Sequence, residues 1–125
     1  RVDYLNLSGR REVISYVPSS SAFGFFWIAP QSGKVIEAFE AHGTAAGAGS
    51  LKIEKAGTAV ALGGGTSMFS GTFDLTKAAN APNRLAATSV VSNASFSRLD
   101  RFGAFSNNVT TNLSNPVITV VVEYS

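Results

Sequence analysis

No long stretch of this sequence repeats apolar residues at spacings of three and four, and that absence constrains the fold more than any motif does. Amphipathic helices need that spacing to gather one apolar stripe. Short runs rich in Val, Ile, Phe and Thr appear instead, cut at brief intervals by Gly, Pro, Asn and Ser. Such punctuation is the pattern of an antiparallel β-sandwich or barrel, where each run is a strand and each break a turn. REVISYVP, FFWIAP, KVIEAFEAHG, SLKIEKAG, AVALGGG, SMFSGTFDLT, LAATSVVSN, RFGAFS and NPVITVVVEYS are the candidate runs. About eight strands follow, the size of a jelly roll.

Period-two alternation assigns faces. In KVIEAFEAH, Val35, Glu37, Phe39 and Ala41 share one side, and Ile36, Ala38, Glu40 and His42 share the other. In SLKIEK, Leu51 and Ile53 face the core while Lys52 and Glu54 read as a charged solvent face. Gly57–Thr58 then reads as a hairpin turn into AVALGGG as partner strand. Phe23, Phe25 and Trp27 fall on one side of their run and Phe26 and Ile28 on the other, which implies a strand buried on both faces, one of them against another chain. The β-branched run Val117–Val122 reads as a central strand, because an exposed edge of that composition would aggregate. Residues 1–11 are polar and irregular and read as an N-terminal arm; residues 12–125 read as one domain.

Composition narrows the function classes. Apolar residues make up 45% of the 125 residues and charged residues only 14%, so the chain is expected to fold and to hide part of its surface against companion chains. Ten basic residues against eight acidic ones leave a net charge of +2, too weak and too dispersed a field for a nucleic-acid partner. No run approaches the roughly 20 apolar residues of a membrane-spanning helix. The opening RVDYLNLSGR has no signal-peptide core, and its first residue, Arg1, reads as a trimmed or incomplete start. Without cysteine there is neither a disulfide nor a thiolate site.

Catalytic chemistry finds little to use. FSRLDRFGAF gathers Arg98, Asp100 and Arg101 between Phe96, Phe102 and Phe105. Two cations beside Asp100 favour its charged form, which makes it a poor general acid. Leu99-Asp100-Arg101-Phe102 reads better as an Asp-capped turn feeding a strand. The single histidine, His42, reads as a solvated side chain at a strand end, and no Ser-His-Asp set, metal-ligand spacing or phosphate loop is present. No enzyme activity and no cofactor is expected. The aromatics Phe23, Phe25, Phe26 and Trp27, with Arg10 and Arg11 of the arm, are the candidate interface residues; the competing reading of the aromatics is a sugar-stacking platform.

Several of these runs carry a resemblance in the same order. LDRFGAF, FFWIAPQSGKVIEAFEAHG, SLKIEKAGTAV and NPVITVVVEYS are similar to the turn, strand-pair, hairpin and terminal-strand segments of small jelly-roll proteins of tailed-bacteriophage virions. The resemblance spans roughly Phe25 to Ser125, with Leu99 standing where that group usually has Gly before Asp-Arg. It implies a virion structural protein, a homotrimer that decorates or cements the capsid by binding the major capsid protein at its outer surface. The alternative it implies is a carbohydrate- or receptor-binding module of a fibre or tail. It brings no catalytic residue.

Overall fold

The computed structural model describes residues 7–18, 23–86, 89–91, 94–107 and 113–125. Its strands are β1 (Arg11–Tyr16), β2 (Phe25–Ile28), β3 (Gly33–Ala41), β4 (Ser50–Ala56), β5 (Thr66–Ser67), β6 (Phe73–Asp74), β7 (Asn83–Leu85), β8 (Ser95–Phe96), β9 (Arg101–Asn107) and β10 (Val117–Tyr124). They form two antiparallel sheets. One is ordered β1-β10-β3-β7, with β8 also on β3; the other is β2-β9-β4-β5, with β6 also on β4. Among the described residues the protein is all-β, with the character of a sandwich.

β10 shows why. Ile118, Val120, Val122 and Tyr124 are buried and alternate with half-exposed Val117, Thr119, Val121 and Glu123. The strand is paired on both edges, to β1 and to β3, as its β-branched composition predicts. Opposite it, Leu51 and Ile53 of β4 and Phe102 and Ala104 of β9 fill the space between the sheets. Each large side chain so buried contributes about 1.5–3 kcal/mol. An aromatic cluster seals one end: Phe102 meets Trp27, Phe96 and Phe26 edge-on at centroid separations of 4.6, 5.1 and 6.4 Å.

Two bulges alter the expected faces. In β3 the pairing passes from Val121↔Glu37 to Val122↔Val35, so Ile36 is an extra residue. Val35 therefore joins Ala38 and Glu40 on the buried side rather than lying opposite them. In β2 the pairing passes from Phe25↔Gly103 to Trp27↔Phe102, and Phe26 is extra. Phe26 and Trp27 both pack against the core, while Phe25 and Ile28 stay exposed. Among the described residues β2 is thus an edge strand, and within the chain one of its sides is open.

The charged face expected on β4 is also covered. The segment after Gly57 does not return as a hairpin strand; residues 57–65 form turns folded over the outside of β4 and β9, and only Thr66–Ser67 pairs with β4. Glu54 beneath them is buried. The run expected over SMFSGTFDLT is likewise reduced to the short pairs of β5 and β6, and part of LAATSVVSN lies outside the described residues.

The two flanks of the sandwich differ. On one, the backbone crosses between segments: Ser70 N–H donates to Ser89 O (2.7 Å), Val91 N–H to Met68 O (3.2 Å), and Phe69 bridges Val90. The other is formed by β1 and β2, the terminal strands of their sheets, which meet where the Tyr16 and Phe26 rings stack at 5.0 Å. Of the expected arm, residues 7–10 are tied to the body: Gly9 N–H donates to Tyr124 O and Arg10 O accepts from Tyr124 N–H, and Arg11 already belongs to β1. Residues 1–6 lie outside the described part.

Candidate functional site

The turn expected over Leu99–Phe102 lies two residues earlier, at Ser97–Asp100, and Asp100 closes it backward rather than forward, while Arg101 and Phe102 already belong to β9. Asp100 Oδ2 accepts from Ser97 N–H (2.9 Å) and Asp100 N–H donates to Ser97 O (3.0 Å). Leu99 takes a φ of +74°, the left-handed conformation that glycine adopts without cost. The turn keeps its shape with Leu in that place, at a steric cost of about 1–2 kcal/mol. Arg101 leaves the turn as the first residue of β9 and locks the neighbouring loop. Its Nη2 donates to Gly57 O (2.8 Å) and Val60 O (2.6 Å), and its guanidinium lies 4.3 Å from the Phe25 ring centroid.

This turn adjoins the open flank. Leu99 N–H donates to Ala29 O and Ala29 N–H to Asp100 O, both at 2.8 Å, so Leu99 sits at the end of β2. The large hydrophobic side chains exposed among the described residues are Val13, Val17, Phe25, Ile28 and Leu99, from 36% to 72% accessible. All five lie on β1, on β2 or in the segments at their ends. A shallow groove of about 480 Å³ runs there, lined by Phe25, Phe26, Trp27, Ile28 and Arg101.

Of the sequence-predicted interface residues, Phe25, Phe26 and Trp27 therefore come together, and Phe23 packs partly buried beside them. Arg10 and Arg11 do not join them. They line a separate depression with Leu7, Glu12, Pro30 and Tyr124, where Arg11 pairs with Glu123 at 3.1 Å and holds that carboxyl below its usual range. Phe26 and Trp27 are engaged from within, Phe26 stacking on Tyr16 and meeting Phe102 at a steep angle, and Trp27 meeting Phe96 and Phe102 likewise. Ile28, the end of the apolar run expected to pack against sister chains, and Leu99, which the sequence did not assign to the interface, are both 61% accessible, after Val17 and Val13. The signal for Leu99 was positional: a turn apex, visible only once β2 is known to be terminal.

A second polar constellation lies inside. His42, expected in solvent, is buried together with Glu40. β3 places Glu40 on its inner side, His42 follows one residue past the strand's end, and the segment around Lys77 and Asn80 closes over them. His42 Nε2 donates to Lys77 O at 2.9 Å, and Nδ1 lies 2.7 Å from Glu40 Oε2. Asn83 Nδ2 donates to Glu40 Oε1 at 2.8 Å. A carbonyl only accepts, so Nε2 carries a proton; a second proton lies between Nδ1 and the carboxylate. Burial works against the charged imidazole, but the Glu40 hydrogen bond, the Lys77 carbonyl and the Glu40 and Asp74 charges outweigh it and raise the His42 pKa. The pair is acid–base chemistry without an opening. Among the described residues no buried side-chain N or O lacks a partner, and no group of three or more His, Cys, Asp or Glu is placed to hold a metal.

No protein-family model matches the chain, no curated protein matches its sequence, and no solved structure matches its fold.

Proposed function

We propose that the chain is a non-enzymatic structural protein of a tailed-bacteriophage virion, a jelly-roll subunit that decorates or cements the outer capsid surface as a homotrimer. The observation that carries this reading is the open flank. Soluble domains scatter single exposed hydrophobics, whereas a concentration of them marks an attachment surface. Here they concentrate on the two strands whose outer edges have no neighbour among the described residues, and the opposite flank is closed by backbone hydrogen bonds.

Two further features support the jelly-roll reading and the virion assignment. Strands β1 to β4 alternate between sheets, and β10 and β9 return between β1 and β3 and between β2 and β4, the interleaving that two nested Greek keys produce. The ordered resemblance of the segments from Phe25 to Ser125 adds the virion context. Adhesion at several such flanks at once would reinforce a lattice without strong individual contacts. The carbohydrate-binding alternative rests on Phe25, whose face is taken by Arg101.

Sedimentation velocity of the purified protein across micromolar concentrations, followed by electron-microscopic localisation of the chain on intact particles, tests the proposal. The expected results are a trimer and density on the capsid exterior. A monomer at every concentration together with absence from the particle overturns it.

A further inference from the structure

Resting on the reading of the flank as an attachment surface, we infer that the β2 edge docks an extended acidic segment of a partner protein, with Phe25, Ile28 and Leu99 as its apolar contacts. Three observations lead there. First, β2 can accept a strand. Ala29 turns both its N–H and its carbonyl to the β9 side, so by alternation Ile28 turns its own outward, where the sheet ends among the described residues. Extended segments recognise such edges through backbone pairing and alternate side chains.

Second, the apolar contacts are displayed at a cost. Leu99 holds a left-handed backbone and leaves its side chain 61% exposed, as is Ile28. A glycine would relieve the turn, and a polar residue would suit the water. Strain of this kind together with exposure at one position points to a use for the side chain.

Third, the charge at this end is positive and unanswered. Arg98 and Arg101 flank the apex, and Lys55 reaches the Ser95 carbonyl next to the turn. None of the three is in an ion pair among the described residues: Arg101 is spent on carbonyls and the Phe25 ring, and Asp100 is turned onto Ser97 N–H. Asp100 offsets one of the three charges. A second copy of this chain brought flank to flank would oppose cation to cation. Among the described residues the other faces gather no acidic cluster: Glu37 and Glu123 are already paired, Glu40 and Glu54 are buried, and the two exposed carboxylates, Glu12 and Asp74, stand singly on β1 and β6 and accept from Tyr124 and Thr76. The occupant that matches is a foreign chain carrying carboxylates beside apolar side chains.

The test uses the intact chain and two ten-residue fluorescent peptides, one alternating Val with Glu and the other Val with Lys, each also prepared with alternate backbone N-methylation. Binding is read by anisotropy at two salt concentrations. The Val/Glu peptide is expected to bind, to weaken with salt, and to lose at least ten-fold in affinity when Glu is replaced by Lys, when the backbone is N-methylated, or on Ile28→Asp or Arg98→Glu. Leu99→Gly keeps the variant folded by relieving the turn. It is expected to raise the denaturation midpoint while weakening the peptide, a pairing of signs that a merely structural Leu99 would not produce. Equal binding of the Glu and Lys peptides, or undiminished binding by Ile28→Asp, overturns the inference. Sedimentation of the free protein separates the two proposals. A trimer that dissociates on Leu99→Asp assigns the edge to a sister subunit and removes the inference alone, whereas a monomer that binds the peptide keeps the inference and removes the trimer.

Discussion

Glu40 and Glu54 are the same residue type, equally buried, on strands of the two different sheets, and they are stabilised by opposite means. Glu40 lies inside the sandwich and is answered by side chains, His42 at 2.7 Å and Asn83 at 2.8 Å. Glu54 lies on the outside of β4 and is answered by backbone: Gly63 N–H donates to Oε1 at 2.7 Å and Gly65 N–H to Oε2. Lys52 bonds the same two loop residues by their carbonyls, its Nζ at 3.4 and 3.5 Å from Gly63 O and Gly65 O and 5.8 Å from the Phe105 ring centroid. A titratable partner makes burial depend on proton concentration. Fixed amide dipoles make it depend on whether the loop backbone can come close enough, hence on glycine.

The largest effect that would break this comparison is at His42. His42→Ala strands the Glu40 carboxylate without its counter-charge, and a loss of about 3–5 kcal/mol is expected in urea denaturation. His42→Ala combined with Glu40→Gln should recover part of it, since the unpaired charge is then gone; full additivity of the two losses would show that the pair is not coupled.

Next comes Gly65→Ala. A Cβ there would lie 2.5 Å from the Lys55 carbonyl oxygen and on the Glu54 carboxylate, so the loop must lift. An expected loss of about 1–3 kcal/mol follows from overpacking, with Glu54 opened to solvent. An unchanged midpoint in that variant would mean that the loop does not need to sit on Glu54.

The pH dependence sharpens the contrast. Because the His42 pKa is raised in the folded chain, its contribution is fully present below the unfolded value of about 6.5 and is lost as pH rises through the folded value. Stability of the wild-type chain is therefore expected to decline from about pH 6.5 upward. Gly65→Ala should lower the whole curve without changing that decline, whereas His42→Ala should abolish it. Glu123 and Asp74 act at the other end. The Arg11 hydrogen bond holds the first below its ordinary value and the Thr76 hydrogen bonds hold the second, so their contributions are lost as pH falls through the carboxylate range. The smallest expected change is Leu99→Gly, a gain of about 0.5–1 kcal/mol from relief of the left-handed backbone less the added chain entropy.

Much of the fold was legible because it is local. Alternation along Val117–Tyr124 follows from the pleat alone, and so does the core side of Leu51 and Ile53. That Asp100 caps a turn follows from what an Asp side chain does to nearby amides, but its place, Ser97–Asp100 rather than Leu99–Phe102, was set by where β9 begins. The aromatic part of the candidate flank was legible as composition, but its membership was not. Whether Phe26 turns in or out depends on a bulge set by pairing with β9, and Ile28 and Leu99 matter only because β2 has no outer neighbour among the described residues.

The sequence by itself determined that these runs are strands and which alternate residues can share a face, since both follow from backbone geometry within a few residues. Tertiary structure alone decided that His42 and Glu54 are buried. Nothing within either strand dictates it: the cover comes from residues 57–65 over one and from the segment around Lys77 and Asn80 over the other. Burial of a charge is a property of what folds over it, and that chain lies tens of positions or a whole loop away.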